Sequence, residues 1–169
     1  MRIIGIDPGY AIVGFGVLEY TGNKFSVVDF GAITTLAGEP FDQRLKTIYD
    51  DLSYVLEKYK PETMAIEKLF FNTNQKTVID VAQARGVISL CATQHNLDIA
   101  EYTPLQVKQS VVGYGRAEKK QVQELTRQIL NLREVPKPDD TADALALAIC
   151  HGHTAHSNFA HKLLKGEIK

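Results

Sequence analysis

The chain opens with two short apolar runs, Ile3 to Ile6 and Ile12 to Val17, separated by Asp7-Pro8-Gly9. Apolar runs of this length bounded by turn formers read as buried strands. Pro8 lacks a backbone donor, so the first strand ends directly after Asp7. In the second run Gly14 and Gly16 share one face, with Val13, Phe15 and Val17 on the other, and a face without side chains admits a bulky neighbour. Thr21-Gly22-Asn23-Lys24 predicts a hairpin turn into a third strand, Phe25 to Ile33, completing an antiparallel meander.

The period then changes. Leu45, Ile48, Tyr49, Leu52, Val55, Leu56 and Tyr59 recur every three or four residues, which predicts an amphipathic helix over 41–59, stopped by Pro61. Thr63 to Ile66 resumes as a strand whose end carries Glu67, and a strand-helix-strand crossover places it parallel to the first strand and beside it. A second helix, reaching about His95, is apolar around most of its circumference. It is therefore covered by other helices or meets a partner subunit, and Gly86 permits close approach in both cases. Leu97 to Glu101 reads as a fifth strand, followed by helices from Pro104 to near Gly113, from Lys119 to Leu130 and, alanine-rich, from Asp139. Residues 157–169 are expected to form a frayed tail. The expected fold class is α/β: one domain spanning 1–169, with a five-stranded mixed sheet of three antiparallel strands and then two parallel ones, flanked by helices.

Composition excludes more than it assigns. At 44% hydrophobic and 23% charged residues over 169 positions, the chain has the makeup of an ordinary globular domain. Gly5 and Asp7 break the opening apolar run and no stretch approaches the length of a bilayer span, so a cytoplasmic protein is expected. Cys91 and Cys150 lie in apolar helical surroundings and read as buried thiols. A net charge of −1 does not advertise nucleic-acid binding, but between Lys108 and Arg133 six basic residues face two acidic ones. A solvated helix face carries the same charges, and so does a positive rim for a phosphodiester.

Four carboxylates carry the chemistry. Asp7 alone reads as a turn residue, but Glu67 ends the neighbouring parallel strand, at the edge of the sheet where ligands of open α/β sheets collect. Asp140 and Asp143 are three apart on the first turn of the last helix and so share a face. Helix capping accounts for Asp139 or Asp140. It accounts poorly for Asp143, which opens a nearly all-apolar stretch where a charge needs a compensating cation. Convergence of Asp7, Glu67, Asp140 and Asp143 would call for hard divalent ions, Mg²⁺ or Mn²⁺, and two such ions serve in-line displacement at phosphorus. The expected chemistry is phosphodiester hydrolysis. His151, His153 and His156 lack the rest of a closed ligand set and read as a solvated helix end.

Gly5-Ile6-Asp7-Pro8-Gly9, Ala65-Ile66-Glu67, Gln83-Ala84-Arg85-Gly86, Val107-Lys108-Gln109, Val112-Gly113, Ala117-Glu118-Lys119 and Asp140-Thr141-Ala142-Asp143-Ala144-Leu145-Ala146 together resemble the RuvC family of bacterial Holliday-junction resolvases, in order, from residue 3 to about 151. The resemblance implies a ribonuclease-H-like fold, a homodimer, paired Mg²⁺-dependent nicking of four-way junction DNA with Mn²⁺ as a substitute, and cooperation with the RuvA and RuvB branch-migration proteins. It makes Asp7, Glu67, Asp140 and Asp143 the catalytic, metal-binding set. Phe70 matches the aromatic that stacks on an unpaired base, with Phe71 as the alternative ring. Lys108 and Lys119 match basic residues at the scissile region, and Lys76, Arg116 and Lys120 are further candidate DNA contacts. Another nuclease of the same fold acting on a different branched substrate, and a junction-binding module without activity, remain as alternatives. Sugar-kinase and actin-like ATPases open similarly but need a second domain for which 169 residues leave no room.

Overall fold

The computed structural model describes residues 1–69 and 75–164, apart from the side chains of 75, 76, 156 and 158–164. Phe70, Phe71 and the side chain of Lys76 therefore lie outside the described residues. The elements in chain order are β1 (Arg2–Asp7), β2 (Ile12–Thr21), β3 (Lys24–Thr34), α1 (Phe41–Tyr59), β4 (Thr63–Glu67), α2 (Gln75–Gln94), β5 (Asp98–Tyr102), α3 (Pro104–Val112), α4 (Lys119–Ile129) and α5 (Asp139–Leu164). The sheet runs β3-β2-β1-β4-β5. β1, β2 and β3 are antiparallel, while β4 lies parallel to β1 and β5 parallel to β4, the mixed sheet expected from the crossover.

Local chemistry explains the boundaries. Gly22 and Asn23 both have positive φ, 55° and 64°, the conformation that a two-residue hairpin between β2 and β3 requires. Lys60 caps α1 in the left-handed conformation, donating its backbone N–H to Leu56 O. Thr103 caps α3 reciprocally: its hydroxyl accepts from Gln106 N at 3.2 Å and its own N–H donates to Gln106 Oε1 at 2.8 Å.

Alternation along the strands divides the core into two layers. In β1, Ile4 and Ile6 pack with Ile48, Leu52, Met64, Ile66 and Ile88 on the α1/α2 side. Ile3 packs with Ala65, Leu145 and Ile149 on the side covered by α3, α4 and α5. The bare glycine face predicted in β2 is filled by α5. A Cβ on Gly14 would lie 2.1 Å from Asp140 O, and one on Gly5 in β1 would lie 1.9 Å from Ala144 O. Neither strand position tolerates a side chain while α5 sits this close. Thr141 Oγ1 donates to Gly31 O at 3.1 Å, tying the first turn of α5 to β3.

α5 runs to Leu164 within the described residues. Two expectations change. β5 begins one residue later than the apolar run suggested, with Leu97 serving as a core residue ahead of the strand. His151 is half-buried where a solvated helix end was expected, while His153 is exposed but partnered. His151 Nδ1 lies 2.9 Å from Tyr102 Oη and burial lowers its pKa, while His153 Nδ1 lies 3.0 Å from Ser110 Oγ with its ring edge-on to Phe25. Both cysteines are buried free thiols, as read from the sequence.

Candidate active site

The register of β1 on β4 pairs Ile3 with Thr63 and Ile6 with Ile66, so the next residue on each strand is a carboxylate, Asp7 and Glu67. Both belong to the odd-numbered face, that of Ile3, Gly5 and Ala65, which α5 covers. Because Gly5 and Gly14 let α5 lie directly on β1 and β2, Asp143 comes to the same sheet edge. Asp7, Glu67 and Asp143 line one pocket of about 330 Å³ together with Lys108, Lys119 and an apolar wall that includes Pro104, Val107, Val122 and Leu147. Asp140 does not line this pocket and stands at its margin, where its charge still acts on Asp7.

The supporting contacts are specific. Arg85 on α2 donates from Nε to the backbone oxygen of Glu67 at 3.3 Å and from Nη2 to Glu101 Oε1 at 2.6 Å, clamping the ends of β4 and β5. The start of α4 is set by Glu118 N donating to Gln121 Oε1 at 2.8 Å, which places Lys119 at the pocket. Lys119 Nζ lies 2.7 Å from Asp143 Oδ2.

The electrostatics show what the cluster lacks. Burial, followed by the charges of Glu67, Asp143 and Asp140, pushes Asp7 up from 3.8 to about 8. Glu67 is raised by burial and then by Asp143. Burial also raises Asp143, against the opposing hydrogen bond and charge of Lys119. Burial works against the Lys119 ammonium, but Asp143, Asp139 and Asp7 outweigh it and raise its pKa. Three half-buried acids, with Lys119 paired to one of them and Lys108 on the pocket wall, form a site short of positive charge.

That donor set, all carboxylate oxygen, fits a hard divalent cation. As the side chains stand, no group of three or more Asp, Glu, His or Cys among the described residues is arranged to hold a metal ion. One of the three acids, Asp143, is held instead by Lys119.

Of the other candidate DNA contacts, Arg116 is exposed, and Lys120 lies in a separate shallow hollow beside Tyr114 and Glu124. Sequence reasoning passed over Gln123, a buried polar residue on α4 beside the site. Its position four residues after Lys119, on the same helix face, was the available signal. It also passed over the clamping role of Arg85, although Arg85 stands inside a quoted motif.

A ribonuclease-H-like sheet with acidic strand ends, closed by an acidic helix start and rimmed by lysines, defines a phosphodiester-cleaving class of site. The profile of the family described as crossover junction endodeoxyribonuclease RuvC matches residues 3–151. Crossover junction endodeoxyribonuclease RuvC of Alkaliphilus oremlandii is 59% identical over 156 residues, 92% of this chain and 95% of the relative. The Thermus thermophilus RuvC structure superposes with a TM-score of 0.87 at 34% identity, covering 94% of this chain and 97% of that one. The structure of T. thermophilus RuvC in complex with Holliday junction substrate matches with a TM-score of 0.85 at 32% identity, covering 93% and 96%. This chain belongs to the RuvC family. No helix among the described residues is long and apolar enough to cross a membrane.

Proposed function

We propose that this chain is a structure-selective endodeoxyribonuclease that resolves four-way DNA junctions by paired, metal-dependent nicks in recombination and repair. The observation that carries the proposal is the single pocket shared by Asp7, Glu67 and Asp143, beside Lys108 and Lys119, in a chain of this family. Asp7, Glu67 and Asp143, with Asp140 at the margin, would hold the ions, Mg²⁺ by preference and Mn²⁺ as a substitute. When bound, a pair of such ions lowers the pKa of water and stabilises charge on the leaving oxygen. The chain's own residues do the rest. Asp7 and Glu67 are fixed by adjacent strands, Asp143 by a helix packed against glycines, and Lys108 and Lys119 face the phosphates from α3 and α4.

Phe70 would stack on an unpaired base at the crossover, with Phe71 as the alternative; Lys76, Arg116 and Lys120 would grip the backbone of the arms. Paired nicks on a symmetric substrate require two equivalent sites, hence a two-fold homodimer. The support for placing its interface on α2 is a stripe of exposed residues, Ile79, Ala82, Gly86 and Leu90, at helical spacing, with open space over Gly86. The whole chain serves as one nuclease domain in the cytoplasm, working with RuvA and RuvB.

Cleavage and binding of a mobile four-way junction, with and without Mg²⁺, test the reading. Asp7→Asn abolishes nicking and leaves junction binding largely intact, because the metal chemistry goes and the basic rim stays. Unchanged nicking would refute the assignment, and equal rates on junction and linear duplex would point to a different branched or double-stranded substrate.

A further inference from the structure

Gln123 lies in the middle of α4 with only 6% of its surface exposed, and its Nε2 has no hydrogen-bond partner among the described residues. A buried amide donor left unmade costs stability, so its presence calls for a compensating use. Its surroundings supply one. Lys119 and Gln123 are four residues apart on α4 and point the same way, and Lys119 holds Asp143 at 2.7 Å. The buried face of α4, Val122, Gln123 and Thr126, packs on α5, the helix that carries Asp139 and Asp143. Asp139 already has its own partner, Lys137 Nζ at 2.6 Å. Of the two carboxylates Asp143 is therefore the one open to Gln123, and Lys119 is the group that at present satisfies it; Thr126 Oγ1, also buried, offers no charge to orient.

We propose that Gln123 is a positioning residue for Asp143: its buried amide holds the Asp143 carboxylate toward Asp7 and Glu67 once a divalent cation replaces the Lys119 ammonium. This rests on the metal-site reading above. A cation at the pocket removes the need for the ion pair, and a carboxylate released from Lys119 on one helix face meets the amide one turn further along it. A neutral donor suits this task. It orients the carboxylate without adding a positive charge that would compete with the ion.

The test uses the full chain and Mn²⁺ alone, without DNA, with affinity read by calorimetry or electron paramagnetic resonance and metal-free melting temperature read in parallel. Gln123→Met and Gln123→Leu keep an apolar-compatible volume and delete the donor. Both are expected to weaken Mn²⁺ binding about tenfold or more, while the metal-free protein melts at the same temperature or higher because an unsatisfied amide has gone. Asp143→Asn is the control and is expected to lose Mn²⁺ affinity outright. If Asp143→Asn loses Mn²⁺ and both Gln123 variants bind it as the parent does, the positioning role is overturned and the metal site stands. If Asp143→Asn binds Mn²⁺ unchanged, the metal-site reading itself fails and takes the proposal with it. A lowered metal-free melting temperature in both Gln123 variants would assign the residue to packing and overturn the proposal.

Discussion

Replacing Asp7 by Asn should make the metal-free fold more stable at alkaline pH, and the size of the effect follows from the site. Asp7 is raised from 3.8 to about 8 by burial and by Glu67, Asp143 and Asp140. Below about pH 4 it is neutral whether the chain is folded or not. Between about 4 and 8 it ionises only in the unfolded chain, so the folded state binds the extra proton and stability falls as pH rises. Above about 8 the folded protein must carry the charge, and the stabilisation is gone. At 1.36 kcal/mol per unit, the three units between pH 5 and 8 amount to about 4 kcal/mol, and partial exposure of the side chain screens this to about 2–4 kcal/mol. Asn at position 7 has no such dependence. Denaturant titrations in EDTA from pH 5 to 9 should therefore show wild type losing about 2–4 kcal/mol relative to Asp7→Asn across that window. Adding Mg²⁺ at pH 8 should restore wild type, with proton release, and leave the variant unmoved. Stability curves that run parallel over the whole range would refute the claim that burial and neighbouring acids hold Asp7 protonated.

Gly5→Ala should destabilise by about 3 kcal/mol or more, since its Cβ would lie 1.9 Å from Ala144 O, and denaturant melts measure it. Lys119→Gln should tighten Mn²⁺ binding without DNA, because the ion pair that must break, its lysine 58% exposed, is worth about 1 kcal/mol, or about fivefold, while slowing junction cleavage; calorimetry and nicking assays read the two effects. Phe70→Ala should slow cleavage far more than it weakens junction binding, by about 1–3 kcal/mol of lost stacking, and proportional losses in rate and affinity would assign the ring to packing. Leu90→Lys, at a position 54% exposed on α2, should shift a dimer toward monomer in light scattering at micromolar concentration, and an unchanged mass would remove α2 from the interface.

Much of the site was legible because its parts obey local rules. Asp7 and Glu67 each end an apolar run, so their place at the sheet edge follows from strand length and the crossover rule. The glycine face of β2 announced a close neighbour, although pattern alone does not say which element fills it. Asp140 and Asp143 sit on one helical turn and looked equivalent, yet Asp143 lines the pocket and Asp140 stands at its rim. That distinction depends on the rotation of α5 about its axis, which is set by Ala144 against Gly5 and by Thr141 bonded to Gly31, contacts between residues remote in sequence. The contacts of His151 and His153 lay beyond the sequence pattern for the same reason. Their partners, Tyr102, Ser110 and Phe25, come from β5, α3 and β3.

By itself the sequence determined the period of each element, the turns, the acids at strand ends and the family, because apolar spacing and backbone stereochemistry act over a few residues. Only the tertiary structure decided which acids share a pocket, that Lys119 neutralises one of them, and that a buried glutamine stands beside it. Those outcomes depend on distances between groups on different elements, and Coulomb and desolvation energies are functions of exactly such distances and not of chain order.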